Sequence, residues 1–336
     1  MTRCAQNLLQ LIHLSRLAMM FAAVSNLWLM IFLARELENV EHRTPVLTEG
    51  PLFILLSVGA VLAAGLHLHG AALNDVLHAR HDRLFRPDRP IAAGRIGATT
   101  AVTVAVLSLL SAIGAGLFFG TTSVIICLAI TAGILFYNVS GRFLPAAGIV
   151  TLGLVRAMYM FTVNPPLSFA WPIWLALTHV TATAAIAHRL EGRRPRLQGT
   201  ELWALFAGWA FWSLALMFWI TWVRTKTTWV QPGIWIQPII MAVVFAAITW
   251  WVVAARGRTL RGARAAGAWY APFALSWLIL YDAGWLAGAG HYGLSLVHVS
   301  LFGAACASLG LDQLRLENRS SRTGKASYGA TERVRS

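Results

Sequence analysis

The sequence predicts an all-α fold, a polytopic transmembrane helix bundle, and three observations predict it. Hydrophobic residues make up 57% of the chain and charged residues only 12%, against about a quarter charged in a soluble domain. The apolar residues fall in long continuous runs, not in the short alternating segments of a membrane barrel. Most of the charge is concentrated between those runs.

A spanning helix needs roughly 20 apolar residues. The runs place ten such spans, at 10–34, 51–74, 98–119, 121–140, 144–163, 171–188, 201–223, 234–255, 267–286 and 291–310. The first apolar run is too long for a signal-peptide core and lacks a small-residue cleavage site, so it is expected to remain as a helix. Loops 75–97, 189–196 and 256–264 are Arg-rich. Loop 35–50 is acidic on balance, with Glu36, Glu38, Glu41 and Glu49, and the loops near 120, 164–170 and 287–291 carry no Lys, Arg, Asp or Glu. Arg224 and Lys226 are the exception on that sparsely charged side. Ten spans put every Arg-rich loop and both termini on one face, the cytoplasmic one by the positive-inside rule.

Residues 1–312 therefore read as one membrane domain, and 313–336 as a polar, disordered cytoplasmic tail. The net charge of +14 belongs to topology and to contact with membrane lipids, and no nucleic-acid partner is expected. Cys4, Cys127 and Cys306 form no CxxC pair and no metal spacing, so they read as small hydrophobes.

The densest polar stretch is NDVLHARHDRLFRPDRPIAAGR, residues 74–95. Topology accounts for arginines such as Arg83 and Arg95, but not for the acids. Asp75, His78 and Asp82 are spaced three and four apart, so a continuing helix projects all three from one face. Two carboxylates on one face repel unless a positive group sits between them. Mg²⁺, held by one or two carboxylates with water and substrate phosphate filling its remaining positions, suits that arrangement. Arg86 and Arg89 add forked donors for phosphate oxygens, and Pro87, Pro90 and Gly94 stiffen and turn the loop.

This stretch resembles the first aspartate-rich motif of the UbiA superfamily of intramembrane prenyltransferases, NDxxDxxxD followed by an RPxRPxxxG-like run. Asn74, Asp75, Asp82, Arg86, Pro87, Arg89, Pro90 and Gly94 fit it. YNVSGRFLP, residues 137–145, resembles the family's Tyr-containing basic segment, with Arg142 in a basic position. The resemblance covers roughly residues 10–286, so a tenth helix is an addition to the family's nine. It implies a bundle around a central cavity that opens to the cytoplasmic side. Mg²⁺ there bridges a prenyl diphosphate donor to acidic motifs after the second and sixth helices.

Two positions depart from the family pattern. His78 stands where the family has aspartate, and imidazole favours Mn²⁺ over Mg²⁺ or binds phosphate as a cation. The second acidic motif corresponds to AIAHRLEGRRPRL, where Glu191 is the only acid, among His188, Arg189, Arg193 and Arg194. This segment, and LGLVRAMYM at 152–160, are similar to the divergent EboC-like branch of the superfamily.

The implied site thus has Asn74, Asp75 and Asp82 as catalytic residues. Asp75, Asp82 and Glu191, with His78, hold metal, and Arg86, Arg89, Arg142, Arg156 and Arg189 hold diphosphate. Arg156 lies inside the fifth span, where a charge must face the interior; a phosphate role and a structural pair with Asp282 or Glu191 are both open. His67 and His69, two apart, point to different faces, so at most one shares a wall with Asp75. His179 and His298 read as core histidines. The many Trp of the seventh and eighth spans read as an interfacial belt, and Gly114, Gly116 and Gly133 as packing contacts.

The function that follows is transfer of a prenyl group from a diphosphate donor to a lipophilic or aromatic acceptor. A UbiA-type terpene cyclase and a non-catalytic isoprenoid-lipid binding or transport component are the alternatives.

Overall fold

Each of the ten apolar runs becomes a helix. The protein is seen in a computed structural model that describes residues 16–36, 45–85, 89–165, 169–222, 232–256 and 260–311. The long helices are α1 (Leu17–Glu36), α3 (Leu52–Leu77), α5 (Ala98–Phe119), α6 (Thr121–Phe136), α7 (Pro145–Phe161), α8 (Trp171–Leu190), α9 (Thr200–Trp222), α10 (Ile236–Arg256), α11 (Leu260–Gly288) and α12 (Tyr292–Leu311). Two short helices, α2 (Pro45–Glu49) and α4 (Ala79–Phe85), lie between them, and a π-turn, Tyr137–Gly141, follows α6. No strand occurs among the described residues. The tail 313–336 and Arg86 lie outside the described residues.

Seven of these helices are long and apolar enough to cross a membrane, which makes this a multi-pass membrane protein. The three that fall short are α7, α8 and α11. α7 is apolar but only 17 residues long. All three carry buried polar groups, among them Arg156, His179, Thr181, Thr183, His188 and Asp282, which marks them as interior helices.

Packing confirms the division. Helices α1, α3, α6, α7, α8 and α11 form a closed ring, in which α11 returns to pack on α1. Helices α5, α9, α10 and α12 lie outside it and bury little of their surface. Leu107, Leu110, Phe206, Phe211, Val243 and Trp250 are among their exposed apolar side chains, as a lipid-facing surface requires. Trp203, Trp212, Trp219 and Trp251 are exposed with them, in keeping with a belt.

Backbone contacts set the ring's geometry. Gly120, at φ 112°, makes the single-residue turn between α5 and α6, a conformation open to glycine. At the start of α7 a Cβ on Gly148 would overlap the Gly141 carbonyl, so the π-turn lies directly against α7. Gly116 and Gly133 are close contacts, against Cys127 and Val155, as expected from the sequence. Gly114 is not: its Cβ position has nothing within 4 Å, because it faces away from the bundle.

Gly148→Ala is expected to push α7 off the π-turn and destabilise the protein by about 1–3 kcal/mol, whereas Gly114→Ala leaves stability unchanged or raised. Thermal unfolding of both variants in detergent checks this.

Candidate active site

One nitrogen organises the polar end of the bundle. Arg89 Nη1 lies 3.2 Å from Asn74 Oδ1, 3.0 Å from Asp75 Oδ1 and 2.8 Å from Asp82 Oδ2. Both carboxylates are buried, at 4% exposure each. The expected single helical face is modified: α3 stops at Leu77, His78 caps it at φ −104° and ψ 7°, and α4 starts at Ala79. The break still brings Asp82 back beside Asp75, since both reach the same guanidinium.

A second cation closes the cluster from α1. Arg16 Nη2 donates to Asp75 Oδ1 at 2.9 Å and to Asn74 Oδ1 at 3.3 Å. Asn74 Nδ2 in turn donates to Asn138 Oδ1 at 2.6 Å, and Asn138 Nδ2 to the Ile134 carbonyl. Arg16 and Asn138 were not singled out from the sequence as site residues. Arg16 is a lone cation in an apolar run, so the rule that drew attention to Arg156 would have found it. Asn138 sits in the YNVSGRFLP segment, but only its contact with Asn74 reveals a role.

The remaining motif residues gather at the same end. Burial lowers the His78 imidazole below its ordinary value and nearby Arg142 adds to this, while Asp82 and an Asn138 hydrogen bond act against it. The His78 Nε2 has no hydrogen-bond partner among the described residues. Burial likewise draws Arg142 down, with Tyr137 and Asp82 opposing, but a guanidinium stays charged in a protein. Glu191 does not join the aspartates: it accepts a 2.7 Å bond from Arg193 Nε. Burial lowers Arg193, and the bond and charge of Glu191 outweigh it, so Arg193 is raised. Arg193 also hydrogen-bonds Tyr137, which ties the second motif to the π-turn. Arg189 is exposed.

Arg16, Asn74 and Asn138 of this cluster also line a cavity of about 240 Å³ bounded by the six ring helices. Arg16, Asn74, Tyr137 and Asn138 line its mouth; His67, Arg156, Tyr159 and Thr183 line its wall among apolar residues. His69 instead bonds the Ala105 carbonyl at 3.0 Å, so only His67 shares the cavity. Arg156 pairs with neither candidate partner. Asp282 accepts bonds from Ser25 Oγ at 2.5 Å and Asn26 Nδ2 at 2.8 Å, and it is buried. His179 and His298 are core histidines, bonded to Ala274 and Tyr281 and to Leu294 and Ser25.

No protein-family model matches the chain, and no curated protein sequence matches it. A solved membrane enzyme, digeranylgeranylglyceryl phosphate synthase, superposes with a TM-score of 0.51 at 13% identity, over 83% of this chain and 97% of that one. That enzyme is a UbiA-superfamily membrane prenyltransferase. This chain has the UbiA fold.

UbiA-superfamily prenyltransferases generally use Mg²⁺, so the polar cluster must be tested against such an ion. Among the described residues no three His, Cys, Asp or Glu side chains come together as a metal group. The oxygen donors nevertheless converge: Asn74, Asp75 and Asp82 each aim one oxygen at a single cationic atom. Hard oxygen ligands, few carboxylates and room for water and phosphate fit Mg²⁺.

Removing the shared cation leaves two buried carboxylates facing each other. Arg89→Met is expected to cost about 2 kcal/mol, discounted for the partial exposure of Arg89, and Arg16→Met less, since Arg16 serves two oxygens and is more exposed. Adding Asp82→Asn to Arg89→Met recovers part of the loss. A double-mutant cycle of melting temperatures in detergent checks both statements.

Proposed function

We propose that this protein is an integral-membrane prenyltransferase that moves an isoprenoid group from a prenyl diphosphate to a lipophilic or aromatic acceptor, releasing diphosphate. The observation that carries the reading is the convergence of Asn74, Asp75 and Asp82 on one cation, with Asn74 also lining the cavity. Its setting in the UbiA fold supports it. The basic loops and both termini face the cytoplasm in this reading.

Each residue then has a task. Asp75, Asp82 and Asn74 hold the metal; Mg²⁺, or Mn²⁺ where His78 takes part, neutralises the departing diphosphate when bound. Arg89 and Arg142, with Arg16, donate to its phosphate oxygens, and Arg86 and Arg189 are assigned to the diphosphate from the sequence motifs alone. Arg16, Arg89, Arg142 and Arg193 against Asp75, Asp82 and Glu191 give these seven side chains a net charge of +1, which favours an anionic substrate. The allylic C–O bond breaks with its electron pair going to the diphosphate. The apolar wall below keeps water from the allylic cation, and the acceptor nucleophile closes the new bond to it. Glu191 positions Arg193 and, through it, Tyr137.

Asp75→Ala and Asp82→Ala are each expected to abolish divalent-dependent release of diphosphate from farnesyl or geranylgeranyl diphosphate. Release retained in both variants removes this mechanism. Mass spectrometry of the products separates the classes: a prenylated acceptor supports transfer, and a hydrocarbon or alcohol formed without acceptor assigns cyclisation. Prenyl diphosphate binding without turnover, across metals and acceptors, assigns a lipid-binding role.

A further inference from the structure

A prenyl acceptor that reacts through an O–H, an N–H or an aromatic C–H loses a proton as it bonds to the allylic carbon. The cavity offers few groups to receive it. Among the described residues that line it there is no carboxylate. Asp75 and Asp82 are tied to Arg89, and Glu191 to Arg193. Arg16 and Arg156 line the cavity but stay protonated in a protein, and Tyr137 and Tyr159 ordinarily keep their protons up to about pH 10. Asn74, Asn138 and Thr183 do not titrate. One lining side chain remains that takes up a proton near neutrality, His67.

The shape of α3 leaves an open path from His67 to the polar end. His67, Gly70, Ala71 and Asn74 all line the cavity, at the three-, four- and seven-residue spacings of one helical face. The two positions between His67 and Asn74 carry a hydrogen and a methyl group, so no larger side chain of this face stands between them. Packing keeps Gly70 small, since a Cβ there would lie 3.3 Å from Ile134 Cδ1 of α6. His69 turns toward α5 instead, bonded to the Ala105 carbonyl, and is buried where His67 is half-buried. The charged and titratable groups that share the cavity with His67 are Arg16 of α1, Tyr137 of the π-turn, and Arg156 and Tyr159 of α7. Helices α6, α8 and α11 line it without an ionisable side chain, and α5, packed on α3, has none along its length.

We propose that His67 is the proton acceptor of the transfer step. The assignment rests on the transferase reading and adds to it the fate of the acceptor's proton. The allylic C–O bond breaks with its electron pair leaving on diphosphate. The acceptor atom forms the new bond to the prenyl carbon with a lone pair, or with a π pair of an aromatic ring. Its bond to hydrogen then breaks, the electrons staying on the acceptor and the proton passing to the unprotonated ring nitrogen of His67. The imidazolium returns to neutral by giving that proton to the departing diphosphate.

Two measurements on the full-length protein test this. Diethyl pyrocarbonate acylates unprotonated imidazole, and peptide mass spectrometry of the purified protein in detergent reads the product at His67 alone. His67 is expected to react with a midpoint at about pH 6–7, and geranylgeranyl diphosphate at about ten times its Kd is expected to slow the reaction about tenfold. A His67 that stays unreactive between about pH 5 and 8, or that the donor leaves unprotected, overturns the proposal. Prenylated product formed from geranylgeranyl diphosphate, with a lipid extract of the producing membranes as the acceptor pool, gives the second readout. The wild-type rate is expected to fall as pH drops through the imidazole range, because the acceptor must be unprotonated. His67→Gln is expected to lower kcat by about 10²-fold or more, to lose that acid limb, to keep its KM for the donor, and to recover rate with added imidazole. A His67→Gln variant that keeps the rate and the acid limb sends the proton directly to diphosphate and overturns the proposal, as does one whose donor affinity falls in parallel. Absence of any prenylated product from the wild type overturns the transferase reading instead, and the acylation experiment reports on His67 independently of it.

Discussion

Two buried carboxylates share one guanidinium nitrogen, and much of the polar end of the protein is arranged around that arrangement. Asp75 ends a long transmembrane helix and Asp82 sits in a short one, so each alone could stay in the membrane interface. Together they need a cation, and Arg89 Nη1 supplies it at 2.8–3.0 Å from both. The loop that delivers Arg89 is anchored in turn. The Pro90 carbonyl accepts from Arg95 and Ile96, and Ile91 and Ile96 pack with Ala72 of α3 and Ala101 and Ala105 of α5. The apolar grip on this loop therefore fixes where the charge sits, and the break at His78 lets Asp82 meet it.

The rest of the bundle is a consequence of keeping such charges out of lipid. Buried polar side chains on α7, α8 and α11 would be costly against hydrocarbon, by about 3 kcal/mol for an arginine at a helix centre on insertion scales. The four outer helices carry the apolar surface that shields them. Asp282 is accommodated in the same way, by donors from Ser25 and Asn26, and His298 reaches the Ser25 carbonyl from the twelfth helix. That last contact, with Ala18, Ala22, Ile279 and Ala305 packed around it, ties the helix beyond the expected nine to the ring. Arg156 is the one of these charges that keeps an open face toward the cavity, which makes its surroundings, and not its mere presence, informative about ligands.

Hydrophobic length was legible in the sequence because it is a local property: twenty apolar residues in a row need a helix in a membrane whatever their neighbours do. All ten spans could be placed from that alone; most ends shift by a few residues, α11 begins seven residues earlier than expected, and residues 10–15 of the first span lie outside the described residues. The NDxxHxxxD spacing with its RPxRP run was local too, so Asn74, Asp75, Asp82 and Arg89 could be named together, whereas Arg142 joined them only through the family resemblance. Gly114 shows the limit of that local reading. It has the same composition-based credentials as Gly133, yet one faces open space and the other Val155.

What the sequence by itself determined, then, is the membrane class, the helix count and the polar motif, because each depends on residues adjacent in the chain. The tertiary structure alone decided the partners. Arg16 and Asp75 are 59 residues apart, Asn74 and Asn138 are 64 apart, and Asn26 and Asp282 are 256 apart. Nothing in local spacing distinguishes an Arg156 paired with Asp282 from one facing an empty cavity. That choice is made by which helices close the ring, and ring closure is a sum of many weak apolar contacts that no single motif encodes.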